Sequence, residues 1–447
     1  MTEQRPSGPE GGFIRGSMAE FQADQLGFLL NNANKYGEIY SFRLGPRRIV
    51  VVSGPELNQE VLVRQQKHVY KAKFNRDVLA RVLGQGLVTS EGDHHKRQRK
   101  LVQPAFHAKR INAYADIMVA HTEEMLAGWR DGVYLDIDEA MMQLTMRIVT
   151  KTLFDADVSD EGGDVGEAIA EFQATSVHDF TRGFMLPMWA PTAHNRCISQ
   201  TKETIDRTIN RIIDVRRASG EDKGDLLSML LLAQDDVDGR SMNDEQVRDE
   251  AVTLFAAGHE TTSNALTWTW YLLAEHPHVE EKLHEELDRV LNGRSPTLAD
   301  LDNLPYTEAV IKESMRLYPP VWLLMIRASN ELLALNGYQI EPGSWIWVSP
   351  YVTHRSAQYF PNPSRFDPER FLGSNAGEIP RYAYIPFGAG PRVCIGNSFA
   401  MMEARLILAT IAQKYCLGLV PGQEIVPQPE ITLSIGDGLR VKLFERN

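Results

Sequence analysis

The residue with the clearest chemical potential is Cys394, which lies in Phe387-Gly388-Ala389-Gly390-Pro391-Arg392-Val393-Cys394-Ile395-Gly396. An apolar stripe with helical spacing follows over residues 399–409, so this cysteine is predicted to lie just before a helix. Backbone N–H groups and the positive end of the dipole at a helix start favour a thiolate over a thiol. Because the thiolate is the form that binds metals, the stretch predicts a metal-ligating cysteine. The alternative is an inert buried thiol, the usual state of a free cysteine.

The residues around Cys394 suit a flat cofactor that carries carboxylates. Gly390 and Gly396 let the backbone approach such a group closely. Phe387 offers an apolar face beside the sulfur, and Arg392 offers a cation for a carboxylate. A single thiolate donates electron density to iron and favours O–O cleavage, whereas a zinc site requires three or four protein ligands.

A long helix is predicted from Asp244 to Glu275, with Asn243 as its N-cap and Gln246 placed for a capping box. Its middle reads Ala257-Gly258-His259-Glu260-Thr261-Thr262, so an apolar stretch is interrupted by a glycine, a carboxylate and hydroxyls. A glycine inside a helix costs about 1 kcal/mol relative to alanine, and a buried carboxylate costs more unless it has a partner. We therefore expect a functional reason for this segment.

These segments resemble motifs of the cytochrome P-450 family. The spacing Phe-x-x-Gly-x-Arg-x-Cys-x-Gly is similar to the family's haem-binding signature, which implies haem b with Cys394 as the iron ligand and with Phe387, Arg392 and Gly396 against the cofactor. The segment 257–262 is similar to the family's oxygen-activation motif, which implies that Glu260 and Thr261 relay protons. A buried polar cluster with local hydrogen bonds is the alternative for that segment.

Further resemblances extend from about residue 35 to the end of the chain. Glu313 and Arg316 match the family's Glu-x-x-Arg pair, and Arg370 lies in a segment similar to the one that supplies the second arginine. The resemblance implies a structural role for these three residues. An isolated pair three residues apart is otherwise a surface salt bridge worth under about 1 kcal/mol.

The resemblance also implies ligands for the haem propionates. His95 and Arg99 lie four residues apart on a predicted helix, where a tryptophan and an arginine stand in many family members, and Arg327 matches another propionate-binding position. A basic, solvated helix face is the alternative. For three neighbouring cations, Lys96, Arg97 and Lys100, the solvated helix face is the preferred interpretation. The other interpretation is that these three form a docking patch for an acidic electron donor.

Composition limits the class of protein. The 447 residues are 43% hydrophobic and 24% charged, which is typical of a globular chain with a large core. A net charge of −12 argues against nucleic-acid binding, and no run of 18 apolar residues predicts a membrane anchor, so a soluble, cytoplasmic monomer is expected. An odd number of widely spaced cysteines argues against a disulfide framework: Cys197, Cys394 and Cys416.

The predicted fold is mainly α with a small β portion, and the resemblance implies the triangular prism of the P-450 fold. Residues 1–12 are expected to be mobile, and 13–447 to form a single haem-thiolate monooxygenase domain, with the haem between the long helix and the Cys394 helix. Strands are predicted over 39–44 and 48–53, around a Gly45-Pro46 turn. A second β region runs to Val348 and contains the Asn336-Gly337 turn.

The expected activity is hydroxylation of a lipophilic small molecule with O₂ and two electrons from separate partners, for which a ferredoxin and its reductase are expected. A fatty-acid-like substrate is favoured, because helix and turn sequences resemble those of fatty-acid-hydroxylating members and because Arg47 or Arg48 in the first hairpin offers a cation for a carboxylate. Alternatives are a terpenoid or steroid hydroxylase, a peroxide-driven haem-thiolate enzyme and a non-catalytic haem sensor. The substrate pocket carried over from the resemblance is apolar: Leu254, Phe255, Ala257, Leu323, Leu324, Met325 and Ile435.

Overall fold

The structure is a computed structural model that describes residues 5–155, 163–182, 185–234, 239 and 241–446. The chain divides into two compact units, each assembled from three separate stretches. Unit 1 comprises Met1–Ala72, Ala309–Cys394 and Pro427–Ser434, and unit 2 comprises Lys73–Glu308, Ile395–Val426 and Ile435–Asn447. Most elements are helices and the sheets are small, so the prediction of a mainly α fold is confirmed.

The α-helices are α1 Met18–Ala23, α2 Gln25–Tyr36, α3 Pro55–Gln59, α4 Lys73–Leu83, α5 Gly92–Val102, α6 Ala108–Ile111, α7 Ala115–Leu126, α8 Ile137–Phe154, α9 Gly163–Arg182, α10 Ala193–Ser219, α11 Leu226–Leu232, α12 Asp244–Glu275, α13 Pro277–Leu291, α14 Pro305–Leu317, α15 Pro350–Thr353, α16 Gly373–Glu378 and α17 Asn397–Ala412. The strands are β1 Ile39–Leu44, β2 Arg47–Val52, β3 Tyr70–Lys71, β4 Tyr134–Asp136, β5 Arg327–Ala328, β6 Leu333–Leu335, β7 Tyr338–Ile340, β8 Trp345–Val348, β9 Tyr415–Leu419, β10 Pro427–Pro429, β11 Leu433–Ile435 and β12 Arg440–Glu445.

Unit 1 contains a five-stranded sheet with the order β1-β2-β8-β5-β3. The predicted hairpin is present as β1 and β2, which pair antiparallel, and β2 pairs parallel with β8 so that Val50 lies opposite Ile346. Side chains alternate along β2, with Ile49 and Val51 in one apolar cluster and Val50 and Val52 in the other. Burial on both faces explains why four apolar residues follow one another in this strand.

The predicted turn at Asn336-Gly337 joins β6 and β7. Both residues have positive φ, 48° and 82°, as a two-residue turn between antiparallel strands requires. An asparagine tolerates this conformation better than most residues, and a glycine adopts it without steric cost.

Residues 6–8, within the segment expected to be mobile, contact β1. Ser41 N donates to Ser7 O at 2.8 Å, and Ser41 Oγ donates to Pro6 O at 2.8 Å. A Cβ on Gly8 would lie 1.8 Å from Ser41 O, so only a glycine fits this approach. The mobility expected for residues 1–12 stays a prediction. Residues 1–4 lie outside the described part of the chain.

Unit 2 is built around α12, which begins and ends at the predicted residues. Asn243 Oδ1 accepts from Gln246 N at 2.8 Å while the Gln246 side chain accepts from Asn243 N at 3.0 Å, which forms the predicted capping box. The helix packs against α8 and α17, and Trp268 and Trp270 are fully buried. Burial around most of its circumference places this helix in the core of unit 2.

Unit 2 also contains a small sheet and the amphipathic helix α13. Strands β4, β12 and β9 form a three-stranded sheet in that order, and α13 buries Val279, Leu283 and Leu287 along one stripe. Within the described ranges, we find no helix that is both long and apolar enough to cross a bilayer.

Candidate active site

Cys394 lies at the end of a tight loop in unit 1. Cys394 N donates to Phe387 O at 2.9 Å, and Val393 N donates to Gly390 O at 3.0 Å, so the loop folds back on itself. The cysteine is exposed, whereas an inert structural cysteine would be buried. It precedes the first residue of α17, Asn397, by three positions, as the sequence predicted.

The glycines of this loop differ in what they permit. Gly390 has a φ of +70°, and a Cβ there would lie 2.2 Å from Leu62 O, so both its conformation and its packing require a glycine. Gly396 is the N-cap of α17 with a φ of −90°, and a Cβ there would make only an ordinary contact with the Phe106 ring at 3.7 Å. The described protein atoms do not constrain Gly396, and its role against a cofactor stays a prediction.

Unit 1 also carries two cations of the predicted site. Arg327 is in β5 and only 8% exposed; its Nη1 donates to Met325 O at 3.0 Å, and its strand pairs with β3 opposite Lys71. Arg392 is half-buried in the 3₁₀ turn that precedes Cys394, and Phe387 is half-buried in the same loop. The role of these two arginines against a cofactor stays a prediction.

The predicted pair on α5 is present in unit 2. His95 is buried and Arg99 is half-buried, and because they are one helical turn apart they share a face of the helix. Lys96 and Lys100 are exposed on the same helix, which agrees with a solvated position for them.

The centre of α12 holds the predicted catalytic residues. Thr261 Oγ1 donates to Ala257 O at 2.8 Å, and Thr262 Oγ1 donates to Gly258 O at 3.2 Å. Hydroxyl bonds to the carbonyl four residues earlier compete with the backbone ladder and favour a local bend. The helix nevertheless continues through this segment, and Glu260 is half-buried beside the two threonines in sequence.

The two sides of this segment have different surroundings. Ala257 is exposed and Leu254 and Thr261 are half-buried, whereas Phe255 and His259 are fully or nearly fully buried. Phe255 stacks on Phe154 of α8, with ring centroids 6.2 Å apart. The inclusion of Phe255 in the substrate pocket is therefore corrected, because helical periodicity turns its side chain into the core.

Gly258 has a packing reason that the sequence did not reveal. A Cβ at this position would lie 3.0 Å from Val149 Cγ2 on α8, which is tighter than ordinary van der Waals contact. The glycine therefore allows α12 to approach α8 closely, and this contact offsets part of the cost of a glycine inside a helix.

The remaining pocket candidates occupy two places. Leu323, Leu324 and Met325 are half-buried in the unit 1 segment that leads into β5, where Leu324 N donates to Val348 O at 3.0 Å. Ile435 ends β11 and is only 4% exposed. Apart from Phe255, the pocket list stays a prediction.

The three predicted structural residues come together in the interior of unit 1. Arg316 donates through Nε and Nη2 to the two oxygens of Glu313, at 2.7 and 2.8 Å, and Arg370 Nε donates to Glu313 Oε1 at 3.3 Å. Arg316 and Glu313 are fully buried, so the alternative of a surface salt bridge is wrong. Burial raises the pKa of the Glu313 carboxyl, and the Arg316 guanidinium opposes that shift.

Arg316 has further partners that the sequence did not indicate. Its Nη1 donates to His354 O at 2.9 Å and to Pro363 O at 2.7 Å, and its Nη2 donates to Arg365 O at 3.0 Å. Asp367 N completes the cluster by donating to Glu313 Oε1 at 2.9 Å. The ion pair thus gathers backbone from a segment about fifty residues downstream.

Sequence reasoning missed Glu403 on α17. This carboxyl group is fully buried in unit 2, and neither of its oxygens has a hydrogen-bond partner among the described residues. Burial raises its pKa well above the ordinary value, which the hydroxyl of Thr262 opposes only in part. A signal was available, since Glu403 falls within the apolar stripe of Phe399, Met402 and Leu406.

The basic pair proposed for a fatty-acid carboxylate has other contacts. The guanidinium of Arg47 lies over the Trp345 ring, 4.5 Å from its centroid, and Arg48 Nε lies 3.7 Å from Glu341 Oε2. A carboxylate beside Arg48 would repel a second one, which weakens the argument for a fatty acid.

Comparison with known proteins supplies the family context. A sequence model of the family described as Cytochrome P450 matches residues 6–438. Cyclooctatin synthase of Streptomyces melanosporofaciens is 40% identical over 409 residues, which cover 90% of this chain and 87% of that protein. Cyclooctat-9-en-7-ol 5-monooxygenase of the same organism is 38% identical over 390 residues, 87% of this chain and 84% of its own. Pentalenene oxygenase of Streptomyces avermitilis is 31% identical over 420 residues, 93% and 92% of the two chains.

Proposed function

Because the chain belongs to the cytochrome P450 family, we propose that it hydroxylates a terpenoid, with Cys394 as the thiolate ligand of its haem iron. The chain is an oxidoreductase of the monooxygenase class that uses haem b, O₂ and electron-transfer partners. The observation that carries the terpenoid proposal is that relatives matching nine-tenths of the chain are named for cyclooctatin and pentalenene chemistry.

The donor set around Cys394 fits haem rather than a multi-ligand metal ion. Cys394 is exposed, and within the described ranges it belongs to no group of three or more His, Cys, Asp or Glu side chains that could hold a metal. A haem iron requires only one protein ligand on this side, because the porphyrin supplies four nitrogens. When bound, the haem supplies oxygen activation, and a thiolate ligand favours O–O cleavage.

Four residues are carried over from the family resemblance as candidates for the propionates. They are Arg327, Arg392, His95 and Arg99. A planar guanidinium binds a carboxylate with two parallel hydrogen bonds, which fixes orientation as well as adding energy. We assign these four residues to propionate binding.

Glu260 and Thr261 are proposed to hold and pass protons. Insertion of one oxygen atom into a C–H bond, with reduction of the other to water, consumes two electrons and two protons. The Thr261 hydroxyl donates to Ala257 O, which leaves its oxygen lone pairs able to accept a hydrogen bond from water. Glu260 is half-buried and so retains access to solvent protons. We propose that Glu260 and Thr261 together form the proton path, with no further titratable group.

An apolar substrate suits the residues assigned to binding. Five residues carried over as pocket candidates each have partly exposed apolar surface without a charge: Leu254, Ala257, Leu323, Leu324 and Met325. Terpenoids offer mainly apolar surface, whereas a fatty acid also requires a cation, and Arg48 already has Glu341 beside it. We therefore favour the terpenoid hydroxylase over the fatty-acid hydroxylase.

The electron donors are proposed to be a separate ferredoxin and ferredoxin reductase. The exposed Lys96 and Lys100 on α5 offer a surface that attracts an acidic donor, although Lys96 Nζ already lies 2.8 Å from Asp93 Oδ1. Reduction of the purified protein by a ferredoxin system, slowed by raised ionic strength, is the expected behaviour.

The first experiment tests the thiolate. The reduced protein is exposed to carbon monoxide, and the strongly red-shifted Soret band of thiolate-ligated haem is expected in the wild type and lost in Cys394→Ala. Cys197→Ser is the matched control, because it changes another cysteine that is partly exposed. A folded wild-type sample that binds haem without this band, or a Cys394→Ala variant that keeps it, contradicts the assignment.

The second experiment tests the substrate class. Cyclic diterpene and sesquiterpene alcohols and a series of fatty acids are titrated into the oxidised protein, and the spin-state change that accompanies water displacement is followed. Saturable shifts with the terpenoids, and a hydroxylated product when electrons are supplied, are expected. Shifts and product with the fatty acids alone would restore the fatty-acid hydroxylase.

The third experiment tests proton delivery. Thr261→Ala is expected to lower product formed per electron consumed by about 10²-fold, the range typical of a lost acid–base group. Thr262→Ala is the matched control on the buried side of the helix. A Thr261→Ala variant that is fully coupled with electron donors contradicts the assigned role, and full activity with peroxide but none with electron donors favours a peroxide-driven enzyme.

A further inference from the structure

A second group of metal-binding side chains lies in unit 2 and includes none of the residues assigned to the haem. A carboxylate oxygen of Glu280, an imidazole nitrogen of His284 and the sulfur of Cys416 all lie within 4.8 Å of one another. Each of the three residues is partly buried, so their surroundings are neither bulk water nor a sealed core. Three different donor types converge here.

Local structure explains this convergence. Glu280 and His284 are four residues apart on α13, so they stand on the same face of the helix. Cys416 is in β9 between the buried Tyr415 and Leu417, and alternation along the strand turns it to the other side. The strand is held in register by β12, where Phe444 lies opposite Cys416. Two packed elements therefore hold the donors in place.

The donors have unused binding capacity. His284 Nε2 is buried and has no hydrogen-bond partner among the described residues, which is unfavourable for a polar atom. Burial and the nearby Arg446 lower the pKa of His284 to about 4, so the imidazole is neutral and able to donate a lone pair. Burial raises the pKa of Glu280 to about 7, and Arg446 and the backbone N–H of Leu417 oppose that shift.

The neighbouring cation does not occupy the site. Arg446 Nη2 lies 2.9 Å from Asp288 Oδ2, and its Nη1 donates to Ala412 O at 2.9 Å and Gln413 O at 3.3 Å. Its charge is thus partly compensated by Asp288, and its donors point to these partners. A carboxylate and a thiolate would balance a divalent ion at the cluster.

We propose that Glu280, His284 and Cys416 bind a divalent metal ion of the zinc type, separate from the haem. Zinc accepts sulfur, nitrogen and oxygen ligands together and commonly takes three protein ligands with water in the fourth position. In a tetrahedral zinc site the ligating sulfur and nitrogen lie about 3.5 Å apart. The ligand atoms of Cys416 and His284 lie within 4.8 Å of each other, so a small side-chain movement brings them to the distance that zinc requires. Calcium and magnesium prefer oxygen ligands alone. On binding, the Cys416 thiol releases its proton to solvent.

The test uses the haem-loaded full-length protein and zinc chloride. After removal of trace metal with a chelator, the rate of Cys416 alkylation is measured by peptide mass spectrometry, with Cys197 as the internal reference. Zinc is expected to slow alkylation of Cys416 by at least about tenfold, because the metal-bound sulfur is a poor nucleophile, and to leave Cys197 unchanged. Metal analysis after desalting is expected to find one zinc per chain.

Matched variants on α13 make the test specific. His284→Gln and Glu280→Gln are each expected to weaken zinc affinity at least about tenfold, since even loss of a group that only supports a ligand has an effect of that size. His278→Gln and Glu281→Gln change exposed residues of the same helix and are expected to have no effect. The carbon monoxide spectrum verifies that each variant retains its haem site.

Three results would overturn the site. Zinc that fails to protect Cys416 in the wild type excludes it. Equal protection of Cys416 and Cys197 means non-specific binding. Unchanged protection in both His284→Gln and Glu280→Gln means that the sulfur binds zinc without these partners. Each of these readings is independent of the substrate and of the oxygenase activity.

Discussion

Two buried carboxyl groups, Glu313 in unit 1 and Glu403 in unit 2, differ in their hydrogen-bond partners. Glu313 accepts hydrogen bonds from Arg316, from Arg370 and from the backbone of Asp367. Glu403 is just as deeply buried but has no hydrogen-bond partner within the described part of the chain. A charge with good partners can remain charged in the interior, whereas one without them is neutralised by a proton.

The difference assigns each group a different role. The Glu313 cluster ties the end of α14 to the carbonyls of Pro363 and Arg365 through hydrogen bonds from Arg316. Burial raises the pKa of Glu403 on α17 well above its ordinary value, and the hydroxyl of Thr262 opposes that shift. The Glu313 carboxyl is held by several hydrogen-bond donors, whereas burial is the main influence on Glu403.

The largest expected effect is at Arg316. Arg316→Ala leaves the Glu313 carboxylate buried with Arg370 as its remaining cation, and we expect unfolding free energy to fall by about 3–5 kcal/mol. Chemical denaturation of the haem-loaded protein measures this loss. Arg365→Ala is the control, because that side chain is exposed and only its carbonyl takes part in the cluster. A loss below about 1 kcal/mol would show that the saturated cluster is not a source of stability.

The second effect concerns Glu403 and depends on pH. Because its folded-state pKa is raised above the unfolded value of about 4.5, the folded protein binds the extra proton, and stability is lost as pH rises from that value towards the folded pKa. The loss is up to about 1.4 kcal/mol per pH unit. Glu403→Gln cannot ionise, so its stability relative to wild type should increase steadily over this pH window.

Two further variants test the interpretation of the Glu403 result. Glu403→Met removes both unpartnered oxygens at similar volume and should be at least as stable as the wild type at neutral pH. Glu378→Gln changes an exposed carboxylate and should show no pH-dependent difference. A parallel pH profile for Glu403→Gln and wild type would mean that Glu403 is ionised in the folded protein, and the contrast with Glu313 would disappear.

The smallest effect is at Arg370. This residue makes one 3.3 Å hydrogen bond to Glu313 and one 3.1 Å bond to Asn362 O, and it is partly exposed. Arg370→Ala should therefore cost about 1 kcal/mol, well below Arg316→Ala. Measuring both single variants and the double variant gives the coupling between the arginines. If Arg316→Ala and Arg370→Ala lower the unfolding free energy by the same amount, burial does not decide how much each ion pair contributes to stability.

Elements defined by neighbouring residues were predictable. The bounds and capping box of α12 follow from Asn243, Gln246 and Pro277, and the β6–β7 turn follows from Asn336-Gly337. The position of Cys394 before α17 also follows from local spacing. In each case the hydrogen bonds or the φ angles that decide the structure involve residues within a few positions of one another, so the sequence contains the information in one place.

Other features depend on which segments of the chain pack against each other. The helical pattern allowed Phe255 to be placed in a pocket, and only the packing of α12 on α8 shows that it stacks on Phe154 in the core. The carbonyl partners of Arg316, the isolation of Glu403 and the approach of Cys416 to α13 likewise join segments far apart in the chain.

The sequence by itself determined the long helix α12 and its capping box, the β6–β7 turn and the identity of the thiolate candidate, because these depend on short-range backbone geometry and on residue chemistry. The tertiary structure alone decided which polar side chains have partners in the interior. That depends on the distance and direction between atoms brought together by burial of apolar surface, a driving force that is not directional and so does not specify polar partners.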